Sequence, residues 1–124
     1  MKGIQINKLK EITDSKGIVI EWCKDLPGKQ VTIYHRKAGI TFGEHFHKGE
    51  DPSKNPERFF LIKGKLKLSA TNKNQEKFEE IIEENTEIII SPYVFHKMEA
   101  ITDVSFIEYR STVFNPQMSD TFVS

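Results

Sequence analysis

Apolar and polar positions along this chain alternate over short spans and rarely sustain a helical period. Segments rich in β-branched and aromatic residues recur at Gly17 to Cys23, Gln30 to Arg36, Phe59 to Leu68, Glu87 to Ser91 and Val104 to Tyr109. Between them lie turn-forming clusters such as Leu26-Pro27-Gly28-Lys29 and Thr71-Asn72-Lys73-Asn74. Short strands with such punctuation predict a sandwich or barrel. Alternation is clearest in Lys63-Gly64-Lys65-Leu66-Lys67-Leu68, where the pattern turns lysines to water and leucines inward, as in a half-buried antiparallel strand. Phe78, Ile81 and Ile82 fit a short helix or a strand. The run Ile88-Ile89-Ile90 that follows favours a strand from Phe78 to Glu83 entering a hairpin.

Extended backbone gives the histidines their meaning. His45 and His47 are one residue apart, so on a strand both imidazoles point the same way and can grip one ion. The bland alternative, a chance pair on a solvated strand, is common for histidine. A third histidine, His96, follows the turn after Glu87 to Pro92, and Glu57 opens the run Glu57 to Gly64. Three neutral imidazoles and a carboxylate form a mixed N/O donor set suited to a divalent transition metal: iron, manganese, nickel, zinc or copper.

The frame around these residues reads Gly39-x5-His45-x-His47-x9-Glu57-x6-Gly64, followed later by Asn85-x5-Ser91-x-Tyr93-x2-His96. In this it resembles the two motifs of the cupin superfamily. The resemblance covers about residues 17 to 110 and implies an all-β, double-stranded β-helix (jelly-roll) barrel with an interior pocket; the length of 124 residues suits a single cupin domain over 1–124, with a C-terminal arm at 111–124. The chain departs from the pattern in two ways. Cupins place the glutamate three or four residues after the second histidine, whereas Lys48 to Pro56 intervene here. Asp51 would keep the family spacing but lose the Glu-x6-Gly half, which favours Glu57. In the second motif Asn85 and Tyr93 stand where cupins usually carry glycine, and asparagine is among the few residues that readily replace it at positive φ. The Gly, Pro, Ser and Asn content of 48–56 marks a loop at the barrel mouth, able to act as a lid.

Cupins include dioxygenases, isomerases, epimerases and ligand-binding proteins, and fold alone does not choose among them. Four protein donors leave one or two coordination positions for water or substrate. The expectation is a metal-dependent enzyme of small-molecule metabolism, oxygenase or isomerase/epimerase. The competing expectation is a non-catalytic cupin holding a carbohydrate or organic acid. The run Ser91 to His96 is similar to that of small cupins found with polysaccharide and nucleotide-sugar enzymes. Epimerases of that group use a histidine–aspartate pair instead of a metal, and no aspartate partner is evident. Tyr93 is the candidate to present a hydroxyl to the pocket as general acid; Arg58 and Arg110 can orient a carboxylate or phosphate unless they face outward.

Composition narrows the partners. Eighteen basic and eighteen acidic residues cancel, so no global field draws nucleic acid or an anionic membrane. No apolar run is long enough for a membrane span and the first residues lack a signal-peptide core, which makes a cytoplasmic location the default. Cys23, the only cysteine, excludes an intramolecular disulfide, and its apolar neighbours suggest a buried thiol. Val113, Phe114, Met118, Phe122 and Val123 make the C-terminal arm too apolar to leave in water. A partner subunit would cover it in a homodimer; its own barrel is the alternative cover.

Overall fold

Val104 to Arg110 alternates buried and half-buried residues along its whole length, the signature of a strand with one face in a core. In the computed structural model, which describes residues 1–23, 26–117 and 120–123, this strand is the last of eleven. They are β1 (Ile4–Lys8), β2 (Ile12–Asp14), β3 (Gly17–Val19), β4 (Gln30–Arg36), β5 (Thr41–His45), β6 (Glu57–Lys63), β7 (Leu66–Thr71), β8 (Lys77–Ile82), β9 (Thr86–Ile90), β10 (Phe95–Ala100) and β11 (Val104–Arg110), with one 3-10 turn at Pro52–Lys54. All the strand pairs are antiparallel. Five strands form one sheet in the order β1-β9-β6-β11-β4, four form a second in the order β5-β10-β7-β8, and β2 and β3 pair as a separate two-stranded ribbon. The jelly-roll barrel expected from the sequence is the fold observed.

The core lies between the two sheets. Phe59, Leu61, Ile88, Ile90 and Phe106 project from the first sheet onto Leu66, Leu68, Ala70, Met98 and Ala100 of the second. Burying such side chains supplies about 1.5–3 kcal/mol each. His45, His47, Glu57 and His96 are not members of this core.

Several boundaries differ from the sequence reading. The single strand expected over Phe59 to Leu68 is two, β6 and β7, because Gly64 takes φ +92° and turns the chain. A Cβ there would strike the Asp103 carbonyl, the Thr102 hydroxyl and Val104. Only Gly17–Val19 of the stretch to Cys23 is strand. Beyond it Trp22 crosses the outer face of the five-stranded sheet, packing 5.6 Å from both Phe60 and Tyr109, while its indole N–H donates to Glu87 at 2.8 Å. Side-chain packing there outweighs β propensity. The strand expected over Phe78 to Glu83 is present as β8, ending at Ile82, but its hairpin partner is β7, through the Asn72 turn, while Asn85 at φ +65° carries the chain across to β9 in the other sheet. β1 and β10 went unforeseen, although Ile4 and Ile6, and His96, Met98 and Ala100, alternate in and out. Cys23 is half-buried, not buried.

The arm meets its own barrel. Phe122 and Phe46 exchange two backbone hydrogen bonds of 2.9 and 3.0 Å, and the Phe114 N–H donates to Gln30 at 2.8 Å. Of the arm's expected apolar residues, Met118 lies outside the described residues and Val113 and Val123 stay exposed. The loop 48–56 is likewise fastened: Asp51 and Ser53 are buried, and the Arg110 guanidinium donates to the Ser53 carbonyl and hydroxyl, both at 3.4 Å.

Candidate metal centre

Three strands and one loop carry His45, His47, Glu57 and His96 to one place. His45 at the end of β5 faces His96 of β10 across the ladder, and Glu57 opens β6 in the opposite sheet. Between the His96–His45 and Met98–Phe42 pairs β5 holds one extra residue, a bulge in which Gly43 takes φ +91°. Such a bulge re-aims the side chains beside it. A side chain at Gly43 would press on the His96 carbonyl at 3.3 Å and its ring at 3.5 Å. His47 lies two residues past the strand, held by the Phe46–Phe122 bridge rather than by the ladder.

One potential ligand atom from each of the four residues lies within 4.8 Å of every other. His47, Glu57 and His96 are buried, and His45 is half-buried toward a cavity of about 140 Å³. Glu57 Oε1 stands 3.0 Å from His47 Nε2 and 3.3 Å from His96 Nε2. The other ring nitrogens decide what those contacts mean. His47 Nδ1 is 2.6 Å from the Asp120 carbonyl and His96 Nδ1 is 3.0 Å from the Val94 carbonyl. A carbonyl can only accept, so both Nδ1 atoms carry hydrogen, and both Nε2 atoms of the neutral rings turn lone pairs on the carboxylate. Acceptors facing acceptors need a proton or a cation between them. A divalent metal fits this donor set, with the imidazoles of His47 and His96 each oriented by a backbone acceptor as metal-bound histidines are.

Titration follows the same geometry. Burial alone would raise Glu57, but hydrogen bonds and charge from His47 and His96 outweigh it and hold the carboxyl well below its usual range. Burial likewise opposes His47, and the Glu57 hydrogen bond and charge win, raising it. His45 is pushed down to about 4, chiefly by burial and then by the two neighbouring imidazoles, so it stands neutral with a lone pair free.

Two residues that sequence reasoning missed, Tyr34 and Glu108, complete the cavity, backed by Arg110, which it named. Tyr34 of β4 and Glu108 of β11 line it, and Tyr34 donates its hydroxyl to Glu108 Oε1 at 2.9 Å. Arg110 Nη2 donates to the same oxygen at 2.8 Å. The second oxygen, Oε2, is buried with no hydrogen-bond donor, and the side chain reaches Glu57. Burial, then the Glu57 charge, pushes the Glu108 carboxyl up to about 8 against the pull of Arg110. Two carboxylates in contact cannot both ionise cheaply. Glu57, gripped by two imidazoles, keeps the charge and Glu108 keeps the proton. Tyr34 is raised to about 12 by burial and by Glu108. The signal was in the spacing: Val104, Phe106, Glu108 and Arg110 share a face, so a carboxylate next to Phe106 had to point inward.

Other expected residues lie elsewhere. Tyr93 is 39% exposed and lines a separate depression with Lys73, Asn72 and Pro92. Its backbone serves the site instead: at φ +64°, where the cupin motif has glycine, its N–H donates to the His47 carbonyl at 2.6 Å. Arg58 is on the outer face, 3.6 Å from Glu87, whereas Arg110 is buried inside. Arg36 stands at the cavity, 5.4 Å over the Tyr34 ring and 5.7 Å over that of Phe42. A larger, shallower hollow of about 680 Å³ on the outside of the four-stranded sheet contains none of the four converging residues. No helix among the described residues is long and apolar enough to cross a membrane.

Solved structures share this barrel. The chain superposes on the sugar 3,4-ketoisomerase QdtA from Thermoanaerobacterium thermosaccharolyticum, in complex with TDP, with a TM-score of 0.78 and 17% identity, covering 100% of this chain and 90% of that one. Against dTDP-4-dehydrorhamnose 3,5-epimerase from Sulfolobus tokodaii the TM-score is 0.74 at 20% identity, covering 94% and 75%. Those two likenesses show the fold alone. The capsular polysaccharide assembling protein CapF from Staphylococcus aureus is 28% identical with a TM-score of 0.64, over 92% of this chain but 32% of that one. A comparison with curated protein sequences found no match. The model of the polysaccharide biosynthesis C-terminal domain family matches residues 12–122, a span that takes in every strand but β1 and all four converging side chains, and the chain belongs to that family.

Proposed function

We propose that this protein is a metal-dependent sugar isomerase or epimerase, with a divalent first-row metal held by His45, His47, Glu57 and His96. The observation that carries the reading is the convergence of two oriented Nε2 lone pairs and a third imidazole on one buried carboxylate. The likeness to sugar ketoisomerases and epimerases, and a family named for polysaccharide biosynthesis, support the choice of sugar over other substrates. When bound, such a metal supplies Lewis acidity that polarises a carbonyl and makes the adjacent C–H acidic.

The chain's own groups supply the rest. Phe42, Phe59, Phe106 and Met98 give the cavity apolar walls, beside the polar side chains of Tyr34, Glu57 and Glu108. Glu108 and Tyr34 hold transferable protons there, at Glu108 Oε2 and the Tyr34 hydroxyl. Arg36 supplies a cation near the aromatic wall, suited to a phosphate attached to the sugar. At about 140 Å³ the cavity suits a single ring, with any nucleotide left outside.

Metal analysis of protein purified without a polyhistidine tag tests the metal. Incubation with a nucleotide-linked 4-keto sugar in D2O, followed by proton NMR, tests the reaction: deuterium should enter at a carbon beside the carbonyl. Absence of exchange with metal bound would favour the binding cupin. A second reading has its own observation, the 3.0 Å His47–Glu57 contact, which without metal, and with His47 protonated, is an imidazolium–carboxylate pair able to move protons. Exchange that persists after chelation would favour it.

A further inference from the structure

We infer that Asp120, in the C-terminal arm, is a positioning residue for the metal centre, setting the orientation of His47 and the path of the loop that joins His47 to Glu57. The functional meaning of this inference rests on the metal reading above. The contacts themselves do not.

Asp120 is fully buried at 0% exposure, though it stands near the end of the chain. Three hydrogen bonds from one short segment end on it. His47 Nδ1 donates to its carbonyl at 2.6 Å, the Lys48 N–H to Oδ1 at 2.9 Å and the Asp51 N–H to Oδ2 at 3.0 Å. The flanking backbone holds the residue in register, since Phe122 pairs with Phe46 on both sides of the bridge. Thr121 adds a hydroxyl 3.5 Å from the same His47 nitrogen and accepts from Lys54 at 3.2 Å.

Each contact has a consequence for the site. The carbonyl acceptor puts the His47 hydrogen on Nδ1 and leaves the Nε2 lone pair for the ion, 3.0 Å from Glu57. The carboxylate ties both halves of the loop's first turn to that carbonyl, so the ring and the loop move together. His47 needs this because it lies beyond the end of β5, where no sheet ladder fixes it. His45 and His96 have the ladder and need no such strap. An insertion between ligands, which would ordinarily loosen a site, is here compensated by a residue from the far end of the sequence.

Cobalt(II) is the probe, titrated into the full chain at 25 °C and followed by its visible d–d absorption. Asp120→Ala should bind cobalt about 10- to 100-fold more weakly than the unsubstituted protein, with a changed d–d band. Asp120→Asn keeps one acceptor oxygen for the loop and should fall between the two. Asp103→Ala serves as control: Asp103 also caps a backbone N–H, that of Ala38 at 2.9 Å, but in another turn, and its cobalt affinity should match that of the unsubstituted protein. Far-UV circular dichroism and melting of the metal-free proteins report folding separately. A lowered melting temperature with unchanged cobalt affinity and spectrum in Asp120→Ala would make the residue merely structural and overturn the inference. So would equal weakening in Asp103→Ala. Should Asp120→Ala fail to fold, Asp120→Asn decides alone: affinity equal to the unsubstituted protein overturns the inference, and weakening supports it. Failure of the unsubstituted protein to bind cobalt overturns the metal reading itself and this inference with it.

Discussion

Replacing Glu108 with glutamine should stabilise the metal-free protein progressively as pH rises. In the folded chain burial and the charge on Glu57 move the Glu108 carboxyl from 4.5 to about 8. In the unfolded chain it ionises at the ordinary value. Between those two pH values the folded state keeps a proton that the unfolded state has released. Stability is therefore fully present below pH 4.5 and falls by about 1.4 kcal/mol per pH unit until pH 8, where the loss levels off. The ceiling is roughly 5 kcal/mol, a large part of the stability of a domain this size. Glutamine does not titrate. Its carbonyl can accept from Tyr34 and Arg110 as Oε1 does, and its amide can donate to Glu57 as the protonated carboxyl would. Urea unfolding at pH 6, 7, 8 and 9 with a chelator present, followed by the fluorescence of the single tryptophan, Trp22, measures the effect. His47, whose raised value also costs stability as pH rises above the histidine range, is common to both proteins and cancels in the difference. The advantage of Glu108→Gln should grow by about 2–3 kcal/mol from pH 6 to pH 8 and then level off. An advantage that does not change with pH would refute the reasoning, since it would mean that Glu108 is already ionised in the folded protein.

Three further outcomes are expected. His47→Ala should lower metal content, measured by mass spectrometry of the purified protein, while circular dichroism stays native, because the core between the sheets does not include the site. Gly64→Ala should cost about 3 kcal/mol or more in urea unfolding with an unchanged m value: about 1–2 kcal/mol for a Cβ at positive φ, and the rest for contact with the Asp103 carbonyl. A cost under about 0.5 kcal/mol, the range of an ordinary surface change, would show that this turn can relax. Deleting residues after Thr112 should leave the oligomeric state unchanged by light scattering, since the described part of the arm packs on its own barrel. A change of mass on deletion would instead place the arm between subunits of a homodimer.

Local pattern carried much of this protein into view. A period of two in Val104 to Arg110, turn clusters such as that at Asn72, and the spacing of His45, His47, Glu57 and His96 are properties of adjacent residues, and they were enough for the barrel and the four converging side chains. Glycine at 64 was visible in the sequence, but its role in splitting one apolar run into two strands depends on the Asp103 carbonyl beside it, 39 positions away by number. Tyr93 looked like the site's hydroxyl because it is near His96 in sequence. The turn that uses its backbone points its ring elsewhere, and the hydroxyl in the cavity belongs to Tyr34, brought there by pairing with β11. The raised carboxyl of Glu108 needs both burial and the Glu57 charge, and the orientation of His47 needs Asp120, 73 residues distant. Side-chain period is set by each residue's immediate neighbours, so sequence alone determined the fold class and singled out the four side chains that converge. Desolvation, hydrogen-bond direction and charge coupling depend on what lies across a gap of a few ångströms, and only the tertiary structure decided which distant residues fill it.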